Sequence, residues 1–256
     1  MAPYQAVLFD FFGTLTTAVA RGPWHAAIAR SLGCEPAEFN AVLDRSFRTR
    51  SRGVFGTAEA TLRWVCDQLG SDPPGDRLRA ALRARVAAVR ADTRLRPDAV
   101  AALAAVRARR LRTAVVSDCG YELPEFLPRM PVAPLLDACV FSVDVGECKP
   151  HPAMYETARR RLGVVASDCL YLGDGGSEEL TGAVQAGMSA VRLAAPDLGN
   201  HLVFAPDHAF SGPSVSSLSE AVRFLDSRSA PQPAHPRSPE SMRLPAERVA
   251  AVTSPP

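Results

Sequence analysis

The chain has 256 residues, a formal net charge of +2 and 47% hydrophobic content. That length can bury one large core or two small ones, and the near-neutral balance argues against nucleic acid or an anionic membrane as the main partner. No apolar run approaches the roughly 18–20 residues of a transmembrane helix, and a strand pattern starts too soon after Met1 to leave room for a signal peptide.

The first element is Ala6–Phe9, a short continuous apolar run of the kind buried on both faces of a parallel sheet. It ends in Asp10, two phenylalanines and Gly13-Thr14, where the chain must turn. Ligands of open α/β sheets sit beyond the carboxyl ends of the strands, so Asp10 is either a site carboxylate or the cap of a turn.

From Thr16 to Arg96 the pattern is helical. Trp24–Leu32, Pro36–Phe47, Ala58–Leu69 and Arg77–Arg90 carry apolar residues at three-to-four spacing, which predicts four helices. This stretch holds 14 arginines against 8 acidic residues, an excess of six. Most are expected on solvated faces. Arg48, Arg50 and Arg52 lie in a Gly-bounded connection and are the candidates to meet an anionic substrate, with His25 a candidate acid early in the same region.

After Arg96 helices and strands alternate. A helix over Pro97–Arg110 precedes a strand at Arg112–Val116 that ends in Ser117-Asp118-Cys119-Gly120. A strand at Ala138–Val143 leads to the loop Gly146–Pro150 and a helix from Pro152 to Leu162. A buried strand Cys169–Leu172 ends in Gly173-Asp174, then come a helix Glu178–Ala186, strands near Ala190–Leu193 and His208–Phe210, and a helix Val215–Leu225. Such alternation implies a doubly wound parallel sheet with right-handed crossovers. The expected organisation is an α/β core from 1–15 and 97–227, a four-helix cap from 16–96, and a Pro/Ser-rich disordered tail from 228–256 in which Met242–Val252 forms a weak helix.

The basic residues are 28 arginines and one lysine, Lys149. Arginine cannot replace lysine where a compact ammonium is needed, so that one position points to a site. The six cysteines lack CxxC spacing and read as reduced thiols of a cytoplasmic protein. Cys119 and Cys148 neighbour the candidate site, as reactive thiols or as small apolar fillers.

Asp10, Ser117, Lys149 and Asp174 all stand at or just after strand ends, within AVLFDFFGTLT, VVSDCG, GECKPHPAMY and LYLGDGGSEELTGA. These motifs, in this order, resemble the haloacid-dehalogenase-like (HAD) hydrolase superfamily, in the branch with a helical cap between the first two motifs. The likeness runs from about Gln5 to Leu225. It implies a Rossmann-like core and hydrolysis of a small phosphorylated metabolite through a covalent phosphoryl group on Asp10. Mg²⁺ is implied on Asp10, Asp174, the Phe12 carbonyl and Glu179, Glu179 being favoured over Glu178. Ser117 would donate to a phosphoryl oxygen and Lys149 would stabilise charge. Thr14 is expected to orient the nucleophile loop, and Asp118 to cap the following helix or touch substrate.

The sequence departs from the family pattern at Phe12, where phosphatases carry a second aspartate as general acid and base. Three readings follow: a phosphatase whose substrate has a good leaving group or whose acid comes from elsewhere, a 2-haloacid dehalogenase, or a catalytically weak binding protein. Dehalogenases typically lack the Gly173-Asp174 pair, so its presence favours metal and phosphate. A phosphonate-cleaving relative needs a lysine in the cap, which is absent. Nucleic-acid binding through the arginine-rich cap ranks last. Oligomeric state is not set by the sequence.

Overall fold

A computed structural model describes residues 4–201 and 204–226; the predicted tail, including Met242–Val252, lies outside them. The first strand, β1, is Ala6–Phe9, followed by a tight turn over Phe11–Leu15. Five helices come next: α1 (Trp24–Ser31), α2 (Pro36–Arg45), α3 (Phe47–Ser51), α4 (Ala58–Asp67) and α5 (Gly75–Asp92). The chain continues with α6 (Ala99–Ala108), β2 (Arg112–Ser117), α7 (Glu122–Phe126), β3 (Ala138–Phe141), α8 (Ser142–Val145) and α9 (Pro152–Leu162). It closes with β4 (Cys169–Gly173), α10 (Glu179–Gln185), β5 (Ser189–Leu193), β6 (Ser214–Val215) and α11 (Leu218–Asp226).

The six strands pair in parallel in the order β3-β2-β1-β4-β5-β6, with β1 between β2 and β4. Side chains alternate across a strand. Val7 and Phe9 therefore enter one apolar layer with Leu103 and Val106 of α6 and Leu218 of α11. Ala6 and Leu8 enter the other, with Met154 and Tyr155 of α9 and Leu180 of α10. Burial on both faces is why β1 reads as an unbroken apolar run. The helices between β1 and β2 build a third cluster from Ile28, Phe39, Val42, Leu62, Val65 and Leu78. Two connections join this insert to the sheet, and they run side by side: Thr16 bridges Leu95, Thr17 N donates to Arg94 O, and Arg96 N donates to Leu15 O. No helix among the described residues is long and apolar enough to cross a membrane.

Two expectations need correction. The predicted second helix of the insert, Pro36–Phe47, stops at Arg45, and the stretch read as a connection holds a further helix, α3, giving five helices instead of four. Ser46 Oγ donates to Val42 O at 2.6 Å and accepts from Arg50 Nε, a side-chain bond that competes with helix continuation. The strand expected at His208–Phe210 is absent. Asp207 takes the Phe210 N–H on its own carboxylate, and the last strand is the two-residue β6.

Candidate active site

The carboxyl end of β1 delivers Asp10, which is 5% exposed. Its amide donates to Leu172 O, so the neighbouring strand fixes the backbone from which the carboxylate projects. The turn after it needs Gly13, whose φ is +81°; a Cβ there would lie 2.6 Å from both Asp174 Oδ2 and His201 Nε2. Gly13 N donates to Thr16 Oγ1 at 3.0 Å, and Arg96 reaches in to hold Thr14 O and Gly13 O. The loop is therefore held by Thr16 and Arg96. Thr14, expected in that role, has a buried hydroxyl without a hydrogen-bond partner.

Lys149 comes from the loop after α8. Its Nζ lies 2.6 Å from Asp10 Oδ1 and 2.5 Å from Glu179 Oε2, and 3.4 Å from the Tyr171 hydroxyl. Burial alone would push the ammonium down, but Asp10 and Glu179 outweigh it and raise Lys149 well above its ordinary value. It is a fixed cation. Burial pushes the Asp10 carboxyl up to about 6, with Lys149 opposing and Asp174 adding to the rise.

Asp10, Asp174 and Glu179 bring carboxylate oxygens within 4.8 Å of one another. Their positions are not equivalent. Glu179 is fully buried, and its oxygens already accept from Gly175 N, Lys149 Nζ and the Tyr171 hydroxyl. Gly173 makes room for it, since a Cβ there would fall 2.1 Å from Glu179 Oε1. Asp174 Oδ1 accepts from Gly176 N, and Oδ2 lies 3.4 Å from His201 Nε2. Glu178, the alternative to Glu179, is exposed.

Ser117 ends β2 with a buried hydroxyl that has no partner. Asp118 does not cap a helix: its Oδ1 accepts from Lys149 N at 2.9 Å, tying the end of β2 to the lysine loop. Burial raises its carboxyl above the usual value. Cys119 and Cys148 are buried thiols, Cys148 pushed up to about 12 by burial and Cys119 well above the ordinary range, so both are fillers and not reactive thiolates. All six cysteines are free.

A cavity of about 190 Å³ opens above these groups and runs into the helical insert, reaching Phe12, His25, Arg50 and Arg85. Phe47 of α3 stacks on Phe204 across its rim at 4.0 Å. Arg50 is on this cavity; Arg48 and Arg52 are not. Arg48 reaches Lys149 O from outside, and Arg52 bonds Gly146 O and Glu147. His25 lies in the wall with Nε2 at 2.8 Å from Asp92, and burial lowers its pKa against the pull of that carboxylate.

Three residues escaped the sequence reading. Tyr171 hides a hydroxyl inside an apolar strand. Arg96 sits directly before Pro97, at the second connection, and also pairs with Asp197. His201 accepts from Val19 N on Nδ1, so its proton sits on Nε2, 3.4 Å from Asp174 Oδ2. Nothing in the surrounding sequence marks it.

A family model described as haloacid dehalogenase-like hydrolase matches residues 4–187. This chain belongs to that family. Glyceraldehyde 3-phosphate phosphatase of Methanopyrus kandleri is 31% identical over 127 residues, covering 49% of this chain and 54% of the relative. The protein of the same name from Methanocaldococcus jannaschii is 27% identical over 128 residues, with the same coverage. The chain thus spans about half the length of the curated relatives it matches. Among solved structures, the L-2-haloacid dehalogenase of Xanthobacter autotrophicus with covalently bound chloropropionic acid is similar at a TM-score of 0.59 and 19% identity, covering 88% of this chain and 100% of that one. A HAD phosphatase from Thermococcus onnurineus gives a TM-score of 0.57 at 19% identity, covering 86% and 97%. At these identities the structures share the fold.

Proposed function

We propose that this hydrolase is a Mg²⁺-dependent phosphatase acting on a small phosphorylated metabolite through a phosphoryl group carried on Asp10, with residues 16–96 as its cap. The observation that carries the reading is Asp174, which brings a carboxylate oxygen within 4.8 Å of Asp10 while Gly176 N holds its Oδ1. Two buried carboxylates side by side repel each other and call for a cation. The donors available, Asp10, Asp174 and the Phe12 carbonyl, are hard oxygens that suit Mg²⁺. Glu179, the third carboxylate of the cluster, also anchors Lys149 through Oε2. When bound, Mg²⁺ neutralises the repulsion between the nucleophile and the incoming phosphate.

In this reading Asp10 attacks phosphorus, the alcohol or acid leaves, and water then attacks the phosphorus of the acyl phosphate and frees Asp10. Lys149, held at 2.6 Å from Asp10 Oδ1, keeps the nucleophile ionised and balances charge that develops on the phosphoryl oxygens. The orphaned hydroxyl of Ser117 would donate to a phosphoryl oxygen, which would give that buried donor the partner it lacks. Phe12 supplies no proton to the leaving group. The reaction therefore favours leaving groups that depart as stable anions, such as the carboxylate of an acyl phosphate. The same aromatic residue favours a second reading, a 2-haloacid dehalogenase, because halide needs no proton; the Asp10–Asp174 pair weighs against it, since that chemistry needs no metal.

The test is phosphate release from p-nitrophenyl phosphate and acetyl phosphate, with Mg²⁺ and with EDTA, using Asp10→Asn as the blank. Release that requires both the metal and Asp10 is the expected result. Chloride release from 2-chloropropionate in EDTA, without phosphatase activity, would overturn it.

A further inference from the structure

The cavity that Asp10 lines is also lined by charged side chains of the helical insert. Arg50 is 8% exposed and Arg85 7%. Arg85 spends Nε and Nη2 on Glu122 Oε1 and leaves Nη1 buried without a partner. Arg50 bonds Ser46 Oγ through Nε and Leu43 O through Nη2, both neutral acceptors. Among the described residues it forms no salt bridge and no hydrogen bond through Nη1, which faces Gly120 on the cavity wall.

The charges around Arg50 are the cations Arg85 and Arg21 and the anions Glu122 and Asp44. Arg21 is already paired with Asp44, and Glu122 with Arg85. Arg50 is the cation that no carboxylate hydrogen-bonds; Asp92, on the same cavity, bonds His25 instead. Burial, with Arg85 adding to it, pushes the Arg50 guanidinium down to about 10. A buried guanidinium that no carboxylate hydrogen-bonds is costly unless something anionic joins it. Because its free nitrogen opens on the same cavity as Asp10, the missing anion belongs to the substrate.

We propose that the substrate carries a carboxylate as well as its phosphate, and that Arg50, with Arg85 beside it, receives that carboxylate while the phosphate meets Asp10. The inference rests on the phosphatase reading for the identity of the first group. A planar carboxylate matches a guanidinium edge, and a cavity of about 190 Å³ admits a molecule of only a few carbons between the two groups.

The experiment compares esters that differ only in a carboxylate or a hydroxymethyl group: 3-phosphoglycerate with glycerol 3-phosphate, and 2-phosphoglycolate with ethylene glycol phosphate. The readouts are kcat/KM for the full chain with Mg²⁺, and Kd by calorimetry in an Asp10→Asn background. The wild type is expected to favour the carboxylate member of at least one pair by about 10- to 100-fold, the worth of a charge-assisted contact. Arg50→Gln should collapse that ratio, and Arg63→Gln, on the exposed face of α4, should retain it. No preference in the wild type, or a preference that survives Arg50→Gln, overturns the proposal. If Arg50→Gln does not fold, the wild-type ratios decide. Arg50-dependent binding of the carboxylate esters, with no phosphate released from any ester or from acetyl phosphate, would sink the phosphatase reading and leave this one standing. Equal hydrolysis of both members of each pair would do the reverse.

Discussion

Lys149 Nζ stands 2.6 Å from Asp10 Oδ1, although 139 residues separate the two in sequence. Glu179 grips the same ammonium from the other side at 2.5 Å, so the only lysine in the chain is clamped between two carboxylates. A guanidinium is wider and planar and cannot occupy that point. Lys149→Arg is expected to cut kcat by about 10²–10³, the usual worth of one preorganised charge-stabilising donor. Steady-state kinetics at saturating Mg²⁺ checks this. Activity within threefold of wild type would refute the clamp.

Phe12 lines the cavity beside Asp10, with its ring edge-on to Phe11 at 5.0 Å. Phe12→Asp adds the missing proton donor. For alkyl phosphates, whose leaving group needs protonation, kcat should rise by up to about 10²-fold, the lower end of general acid–base help. For p-nitrophenyl phosphate the change should be small. Equal effects on both substrates would contradict the role given to position 12.

Gly13→Ala places a Cβ 2.6 Å from Asp174 Oδ2 and from His201 Nε2, on a backbone at φ +81°. The carboxylate must move, and displacement on the ångström scale costs about 10²-fold in rate. Mg²⁺ titration by calorimetry should show weakened binding alongside the lost activity. Unchanged Mg²⁺ affinity would count against Asp174 as a ligand.

Glu122 links the insert to the core through Arg85 of α5. Burial would raise its carboxyl, but Arg85 and Arg50 outweigh it and hold the pKa below the ordinary value. A carboxyl depressed in the folded state contributes stability above its unfolded pKa, and that contribution is lost as pH falls through the folded value. Glu122→Gln should therefore destabilise the protein at neutral pH, on the order of 3 kcal/mol for a broken buried pair, with the gap to wild type closing in acid. Urea melts across pH measure it; a gap independent of pH would exclude an ionic origin.

The Asp10 carboxyl, raised to about 6, must ionise before it can hold a cation. Apparent Mg²⁺ affinity should be flat above that pH and fall as much as tenfold per unit below it, because protons then compete for the same oxygen. Calorimetric titrations in matched buffers give the slope directly. Affinity that rises on acidification would contradict Asp10 as a ligand.

How legible the site was depended on whether local sequence carried the information. Asp10 and Asp174 each end an apolar run that only a buried parallel strand explains, and Lys149 stands out by composition alone. The three arginines show the limit. Read as a connection, Arg48, Arg50 and Arg52 looked equivalent, but α3 is helical, so residues four apart share a face and the one between them points away. Arg48 and Arg52 thus meet the lysine loop while Arg50 enters the cavity. Glu179 was legible as a buried acid, but its three donors come from separate segments, so its service to Lys149 was not. His201 is fixed by Val19 N, 182 residues away in sequence, and no local pattern could have announced it.

The central claim is that Asp10 carries the phosphoryl group. The most direct measurement mixes the protein with acetyl phosphate and Mg²⁺, quenches in acid, reduces with borohydride and locates the modified residue by mass spectrometry. An acyl phosphate at Asp10 is reduced to a primary alcohol, so homoserine at position 10 is the predicted result, absent when EDTA replaces Mg²⁺. Phosphate released at full rate with Asp10 never modified would contradict the account.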